Sequence, residues 1–165
     1  MKKFILTGLL IFLMSTLHAQ EGREGFGVGV IVGEPTGISI KTWTGNTTAI
    51  QAAAAWSFSG YNSFQFHLDY LFHNFSLFNS EDMNGALPVY IGVGGRLKLA
   101  EDADPDPGND DVNDEAAIGL RVPLGISYIF GEAPLDVFLE VVPILDVVPD
   151  TDFDLNGAVG IRVYL

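Results

Sequence analysis

Two polar side chains on one strand-like segment have the residue types and the spacing for acid–base chemistry. His67 and Asp69 lie two residues apart and therefore share one face of the segment 64–73. A serine nucleophile could complete a hydrolytic site, and Ser127 lies on another segment of this kind. A nucleophile and its base must lie within hydrogen-bond reach, and these two segments are not neighbours in an up-and-down strand order. We therefore predict a hydrogen-bonding role and no enzymatic activity, with a lipid-modifying enzyme as an alternative.

Charged side chains recur at alternate positions of several such segments, opposite the large apolar residues. They comprise five bases and four acids. Enclosed charges need partners of opposite sign, so this near balance predicts a network of ion pairs inside the fold. With His67 added, the predicted interior network consists of Lys41, His67, Asp69, Arg96, Lys98, Arg121, Asp136, Glu140, Asp146 and Arg162. The alternative function of the same residues is a conducting passage or a switchable gate.

The acidic segment 101–115 has a superficial likeness to a calcium-binding loop, because acids alternate from Asp102 to Asp106. An EF-hand needs Gly at position six and Glu at position twelve. Here those positions are Pro107 and Asn113, so the motif fails. We predict a solvated loop, with weak binding of a divalent cation as the alternative, and we predict no metal centre and no cofactor.

Composition limits the classes of protein to which this chain can belong. The 165 residues suffice for one domain, and the net charge of −13 gives no electrostatic footprint for nucleic acid. Cysteine is absent, which excludes disulfide and thiol chemistry. Nineteen glycines without a collagen-like period indicate turns and tight strand packing.

The N-terminus has the features of a targeting segment. Lys2 and Lys3 precede an apolar run of about fourteen residues, and His18-Ala19 offers a small residue for cleavage. The run is shorter than the roughly 20 residues of a spanning helix. We predict a signal peptide over 1–19 and a β-barrel over 20–165. Cleavage would leave six basic and 21 acidic residues, a net charge of −15.

Apolar residues alternate with small or polar ones through most of the remaining chain, the pattern of strands with two different faces. Segments of about ten residues separated by turns are typical of a transmembrane barrel. We predict an all-β fold, an eight-stranded antiparallel up-and-down transmembrane β-barrel. The predicted strands are 26–32, 38–43, 49–58, 64–73, 87–99, 117–130, 135–148 and 156–165.

The composition of the second face distinguishes a membrane barrel from a soluble, lipocalin-like periplasmic carrier. A soluble barrel would turn its apolar face inward and would need a strongly polar outer face. Here the second face is mostly Gly, Ala and Ser, which suits the crowded interior of a narrow barrel. Aromatic residues near both ends of the strands are consistent with two interfacial girdles. The sequence therefore favours outer-membrane lipids as the partner of the apolar face.

The last strand ends at the C-terminus with Val159, Ile161, Val163 and Leu165 on its apolar face. Such a strand is typical of the closing strand of a bacterial outer-membrane barrel, which serves as an insertion signal. We predict that these four residues form this signal and contact the barrel-assembly machinery. The predicted location is the outer membrane of a diderm bacterium.

Four short segments carry a resemblance to known proteins: 33–39, 90–96, 119–125 and 138–143. With the strand pattern, they make the chain similar to the small eight-stranded outer-membrane barrels of the OmpA-like class, and to an uncharacterised domain-of-unknown-function family. The resemblance implies the barrel fold and carries no activity. We separately predict a structural or surface-interaction role, with the acidic loops providing the surface contact. One departure is the final residue, which is Leu165 where such barrels usually end in Phe or Trp.

Overall fold

The computed structural model describes residues 25–57, 63–78, 84–100 and 115–165. The predicted signal peptide and nearly all of the acidic segment 101–115 lie outside these residues. Within them the chain forms ten strands in one antiparallel sheet. The strands are β1 (Phe26–Glu34), β2 (Thr36–Trp43), β3 (Thr48–Ser57), β4 (Ser63–Asn74), β5 (Gly85–Ala86), β6 (Val89–Ala100), β7 (Glu115–Arg121), β8 (Leu124–Phe130), β9 (Leu135–Val148) and β10 (Asp152–Tyr164).

The ten segments amount to eight strands, because two strands are interrupted at a proline. β7 and β8 flank Pro123 and keep one register against β6, in which Gly94 pairs with Arg121 and Ile91 pairs with Leu124. β5 and β6 flank Pro88 and likewise keep one register against β8. Proline has no N–H to donate, so the ladder is interrupted there without a change of direction.

The sheet closes on itself, because β10 pairs with both β9 and β1. When β5 and β6 are counted as one strand and β7 and β8 as another, each other strand pairs with its neighbours in chain order. The prediction of an eight-stranded antiparallel up-and-down fold is therefore confirmed.

The two faces of the ring have inverted polarity. Large apolar side chains face outward and are exposed on every strand from β1 to β10 except the two-residue β5. The inward, buried face consists mainly of Gly, Ala and polar or charged side chains, with a few larger apolar ones: Ile31, Leu71, Phe138, Val142 and Ile144. This arrangement follows from the period of two in the sequence, since successive side chains of a strand point to opposite faces.

The barrel has two distinct ends. We call the end that carries Phe26 and Leu165 the terminal end, and the opposite end, which carries Glu34 and Asp152, the far end. Aromatic pairs lie at both: Trp56 and Phe64 at the far end, with ring centroids 5.2 Å apart, and Tyr128 and Phe130 at the terminal end, 4.7 Å apart.

Most observed strand limits lie within two residues of the predicted ones, and β9 matches its prediction. The last strand differs, because β10 begins at Asp152, four residues before the predicted Asn156. Asp152–Asn156 pairs with Val142–Asp146 of β9, which extends the hairpin and moves Asp154 from a predicted loop into the barrel wall. Among the described residues no helix is long and apolar enough to cross a membrane.

Candidate functional site: the polar network in the lumen

The inward-facing polar side chains form connected layers along the barrel axis. The first layer lies at the terminal end, around the Asp136 carboxylate of β9. Its Oδ2 atom accepts a hydrogen bond from the Tyr164 hydroxyl at 2.8 Å and lies 3.7 Å from Lys41 Nζ and 3.5 Å from Arg162 Nη1. Lys41 Nζ also lies 3.0 Å from His73 Nε2. This layer joins strands from opposite sides of the ring.

The second layer is centred on Arg162 of β10. Its Nε donates to Ser39 Oγ at 3.0 Å, and its Nη2 donates to Gln51 Oε1. Its guanidinium carbon lies 3.8 Å from the centroid of the Phe138 ring, within the range of a cation–π contact. Arg162 is thus fixed by neutral partners as well as by the Asp136 carboxylate.

The third layer surrounds Glu140 of β9. Its Oε2 accepts hydrogen bonds from Gln51 Nε2 at 3.1 Å and from the Tyr90 hydroxyl at 2.9 Å. Its Oε1 lies 3.8 Å from Arg121 Nη2. Arg121 in turn binds Asp69, and His67 Nε2 lies 3.9 Å from the same Asp69 carboxylate. Glu140 therefore links four strands, β3, β6, β7 and β9, through three side chains.

The fourth layer lies towards the far end and is centred on Arg96 of β6. Its Nε and Nη2 bind the two oxygens of Asp146 at 2.9 and 2.5 Å. Its Nη1 binds Asp154 Oδ2 at 2.8 Å. The planar guanidinium thus engages β9 with a two-point contact and β10 with a single one.

The predicted interior residues lie on the inward side of the barrel. This agrees with strand parity, that is, with their alternation along each strand with outward apolar residues. Nine of the ten are buried inside the ring. Eight of these nine take part in the ion pairs described above, and the ninth, His67, lies beside the Asp69 carboxylate. The exception is Lys98, which is half-buried and forms no ion pair within the part of the chain that the structure describes.

The sequence prediction missed six side chains of the network because it considered charged residues first. Strand parity alone would have found Ser39, Gln51, His73 and Tyr90, since all four alternate with outward apolar residues. Asp154 was assigned to a loop because the start of β10 was placed too late. Strand parity also places Tyr164 inward, between the outward Val163 and Leu165, but its position at the strand end led to its assignment to the aromatic girdle. The added members are Ser39, Gln51, His73, Tyr90, Asp154 and Tyr164.

The structure separates His67 from Ser127. His67 lies beside Arg96 of β6, whereas the backbone N–H of Ser127 donates to Pro88, eight residues away along the same strand. At about 3.3 Å per residue this places the two side chains roughly 26 Å apart along the strand direction. No nucleophile–base pair therefore forms between them.

Three residues of the predicted insertion signal lie on the outward face of β10, and the fourth, Leu165, directly follows this strand. Val159, Ile161 and Leu165 are exposed and Val163 is half-buried. The backbone of this strand pairs with β1 from Gly27 to Glu34, so the segment also closes the ring.

Comparison with known protein families decides the classification of the chain. Residues 18–163 match the family described as "Protein of unknown function (DUF3996)". The chain belongs to this family. No curated protein matches the sequence.

The structure of this DUF3996 protein is similar to one solved structure, the N-terminal β-barrel domain of Pseudomonas aeruginosa OprF. The two superpose with a TM-score of 0.67 over 88% of this chain and 100% of the other, at 11% sequence identity. At this identity the likeness shows the fold alone. It confirms the β-barrel that the resemblance to the OmpA-like class implied, and the family match confirms the uncharacterised family.

Proposed function

We propose that this DUF3996 protein is an integral outer-membrane β-barrel with a structural or surface-interaction role, whose lumen is closed by the ion-pair network. One observation carries the proposal, namely the inverted polarity of the ring. Leu68, Val32 and Leu139 expose 60%, 57% and 55% of their surface, whereas the charged Arg121 and Arg162 expose 1% each.

The exposure of large apolar side chains on the outside of the ring is energetically unfavourable for a soluble barrel. Burial of apolar area is favourable by about 25 cal/mol per Å², so an outward band of Val, Ile, Leu and Phe would favour association in water. In a bilayer the same band faces hydrocarbon, and ring closure leaves no unpaired sheet edge. An apolar solvent around the barrel therefore accounts for both faces at once.

A closed lumen is supported by the burial of the charges. The side chains of Lys41, Arg121, Arg162 and Asp136 are at most 1% exposed. Buried ions are tolerated when they are paired and hydrogen-bonded, and these bonds run across the ring. A barrel of eight strands has an interior just wide enough for its side chains.

Location in the outer membrane and recognition by the barrel-assembly machinery belong to the same proposal. The predicted signal peptide would deliver the chain across the inner membrane. The outward residues Val159, Ile161, Val163 and Leu165 would then present the insertion signal. The acidic segment 101–115, with Asp150 and Asp152 at the far end, would face the cell exterior if the terminal end is periplasmic, and would offer a surface for contact with cations or with other molecules.

A small ion-conducting pore is the second candidate, and a different observation favours it. Within the described part of the lumen, Gln65 Nε2, His67 Nδ1 and Ser127 Oγ are buried and have no hydrogen-bond partner. Buried polar atoms are normally satisfied by protein or by water, so a hydrated passage would account for them.

Membrane fractionation with heat-modifiable gel mobility tests the main proposal. The protein should co-fractionate with outer membranes, and its mobility should shift on boiling. A soluble fraction without a mobility shift would contradict the membrane barrel. In planar bilayers the closed lumen predicts no resolved single-channel steps at neutral pH, whereas the pore predicts regular steps.

A further inference from the structure

The outer surface of the barrel carries a groove in its terminal half. The groove has a volume of about 350 Å³ and is lined by Phe72 and Asn74 of β4, residues 89–91 of β6, and Leu124 and Gly125 of β8. This volume lies within the range of about 300–1,000 Å³ that small-molecule sites occupy. The groove is distinct from the polar network of the lumen, since most of its lining faces outward.

Apolar side chains form one wall of the groove. Phe72 pairs with Ile91, and Ile91 pairs with Leu124, so the three lie in one row across three strands. Their exposed fractions are 50%, 51% and 44%. The next pair towards the terminal end is Asn74 with Val89. The groove therefore extends from an apolar wall to an outward amide side chain at the rim of the barrel.

The floor of the groove is main chain. Tyr90 and Gly125 pair in the ladder, and the Tyr90 hydroxyl donates to Glu140 inside the lumen. A Cβ at Gly125 would overlap the Tyr90 ring. The ring can therefore lie across the inner side of β8 only because residue 125 is a glycine. Since the Tyr90 side chain is directed inward, the outward face at this pair consists of backbone atoms.

Two prolines weaken the wall on either side of this pair. The Gly92 N–H donates to the Pro123 carbonyl at 2.8 Å, and the Ser127 N–H donates to the Pro88 carbonyl at 3.0 Å. Neither return bond can form, because proline has no N–H. Each of these pairs therefore keeps one ladder bond where two would otherwise form. As a result, β6 and β8 can move apart at a lower cost than a complete ladder allows.

The surroundings of the groove indicate what occupies it. In the proposed function the row of Phe72, Ile91 and Leu124 belongs to the outward band that faces hydrocarbon, where no water competes for the site. A lipid chain in a concave groove contacts residues of three strands, whereas a chain on the convex wall contacts the protein on one side. Dispersion attraction grows with the number of contacts, so a hydrocarbon chain is bound more tightly in the groove than elsewhere on the wall.

The polar end of the groove suits the headgroup region of a lipid. Asn74 is exposed at the terminal end of β4, and its Oδ1 accepts a hydrogen bond from the Ser76 N–H at 2.9 Å. Its NH₂ group can then donate to an ester or phosphate oxygen. Tyr128 and Phe130 lie at the same end of the barrel, and aromatic residues of this kind mark the boundary between hydrocarbon and headgroups.

We propose that this groove is a binding site for one acyl chain of a phospholipid in the leaflet at the terminal end. The inference rests on the proposed function, since it needs an outward face in contact with lipid. The part of the chain next to the headgroup packs against Phe72, Ile91 and Leu124, over the backbone of Tyr90 and Gly125. The ester and headgroup of the same lipid lie at Asn74.

Photolabelling of the folded barrel tests the site. The probe is phosphatidylcholine with a diazirine near the headgroup end of one acyl chain, supplied at an equimolar ratio in neutral detergent micelles. Peptide mass spectrometry counts the labels at Phe72, Ile91 and Leu124, and at Phe26 and Val28, which face outward at the terminal end of β1. We expect the groove positions to exceed the β1 positions about tenfold, a preference of about 1.4 kcal/mol.

Val89→Trp fills the groove and should reduce its labelling to the level of the β1 positions. Val28→Trp is the matched control, because it adds the same side chain near the terminal end of β1, outside the groove. Both variants should shift on boiling, since tryptophan is favourable at a membrane interface. If Val89→Trp does not fold, Ile91→Ala keeps the test decisive: it removes part of the wall and should lower the labelling of Phe72 and Leu124.

The labelling pattern separates the site from the proposed function. Equal labelling around the outward face would overturn the acyl-chain site and leave the membrane barrel intact. Preferential labelling that persists in Val89→Trp would also overturn the site, because the label would then follow the reactivity of the side chains and not the groove. An absence of label from the outward positions, in a protein that shifts on boiling, would contradict the lipid-facing surface and the site together.

Discussion

Arg121 and Asp69 meet across the backbone of a strand that lies between them. Arg121 Nε donates to Asp69 Oδ1 at 3.1 Å and Nη2 donates to Oδ2 at 3.3 Å, although 52 residues separate the two in sequence. Gly94 of β6 pairs with both residues in the ladder. The ion pair is therefore possible because the residue between its two members has no side chain.

Gly94→Ala should disrupt this pair. A Cβ at Gly94 would overlap Asp69 Oδ1 and the Leu68 carbonyl oxygen, and would lie 2.7 Å from Asp69 Cα. Two of these atoms belong to the backbone and cannot move cheaply. Overpacking typically costs about 1–3 kcal/mol, and we expect a loss of at least about 3 kcal/mol in urea unfolding in micelles.

Gly95→Ala is the matched control for Gly94→Ala. The adjacent glycine faces outward, and a Cβ there would approach no atom closer than 3.6 Å. Its urea midpoint should stay near that of the parent protein. Equal effects of the two substitutions would show that the lumen at Gly94 is wider than described.

Glu140→Ala should be among the most destabilising single substitutions in the lumen. It removes the acceptor of Gln51 and Tyr90 and leaves Arg121 with one carboxylate, Asp69. Breaking a buried pair by removing one partner costs about 3–5 kcal/mol. Glu140→Gln keeps an acceptor oxygen and should cost less. An unchanged urea midpoint for Glu140→Ala would contradict the network.

Strand parity predicted the inside and the outside of this barrel because one rule governs all eight strands. A residue two positions from an exposed Val or Leu is also outward, so Lys41, Arg121 and Glu140 are placed inward without knowledge of the register. Prediction of the fold required little further information. The alternation of apolar residues marks the strands, the turn residues mark their ends, and closure of the sheet then gives an up-and-down barrel.

The partners of these side chains could not be predicted in the same way. Contacts such as Arg162 with Gln51 cross the lumen, and they depend on the stagger between strands that are far apart in sequence. Gly94 illustrates the difficulty: its role becomes visible only when its two ladder partners are known. Asp154 was missed for a local reason. Its acidic neighbours are typical of a loop, so the start of β10 was placed after them.

Asp146→Asn should cost more stability than Asp154→Asn, although both carboxylates bind Arg96. The Asp146 side chain is 10% exposed and makes the two-point contact, whereas the Asp154 side chain is 36% exposed and makes a single one. Exposed pairs contribute about 0.2–1 kcal/mol, and we expect Asp154→Asn to stay within this range. Measured by urea unfolding, the reverse order would show that Arg96 is anchored chiefly by β10.

Leu68→Arg tests the solvent on the outward face. Leu68 lies near the middle of β4, where an arginine facing hydrocarbon costs about 2–4 kcal/mol. Phe153→Arg is the control, because Phe153 is equally outward but lies at the far end, where the cost falls to about 0–1 kcal/mol. Folding titrations in lipid vesicles should resolve the difference. Two equally tolerated arginines would favour a water-exposed outer face.

Deletion of Ile161–Leu165 should abolish folding and insertion together. The deleted residues pair with Gly27, Val28, Gly29 and Val30 of β1, so their loss removes half of the ladder that closes the ring. Arg162→Gln separates the two roles of this segment, because it removes the lumen charge but keeps the backbone pairs and the outward Ile161, Val163 and Leu165. We expect this variant to reach the membrane and to shift on boiling, with a lowered urea midpoint. If the deleted chain were also heat-modifiable in the membrane, the insertion signal would have to lie in another strand.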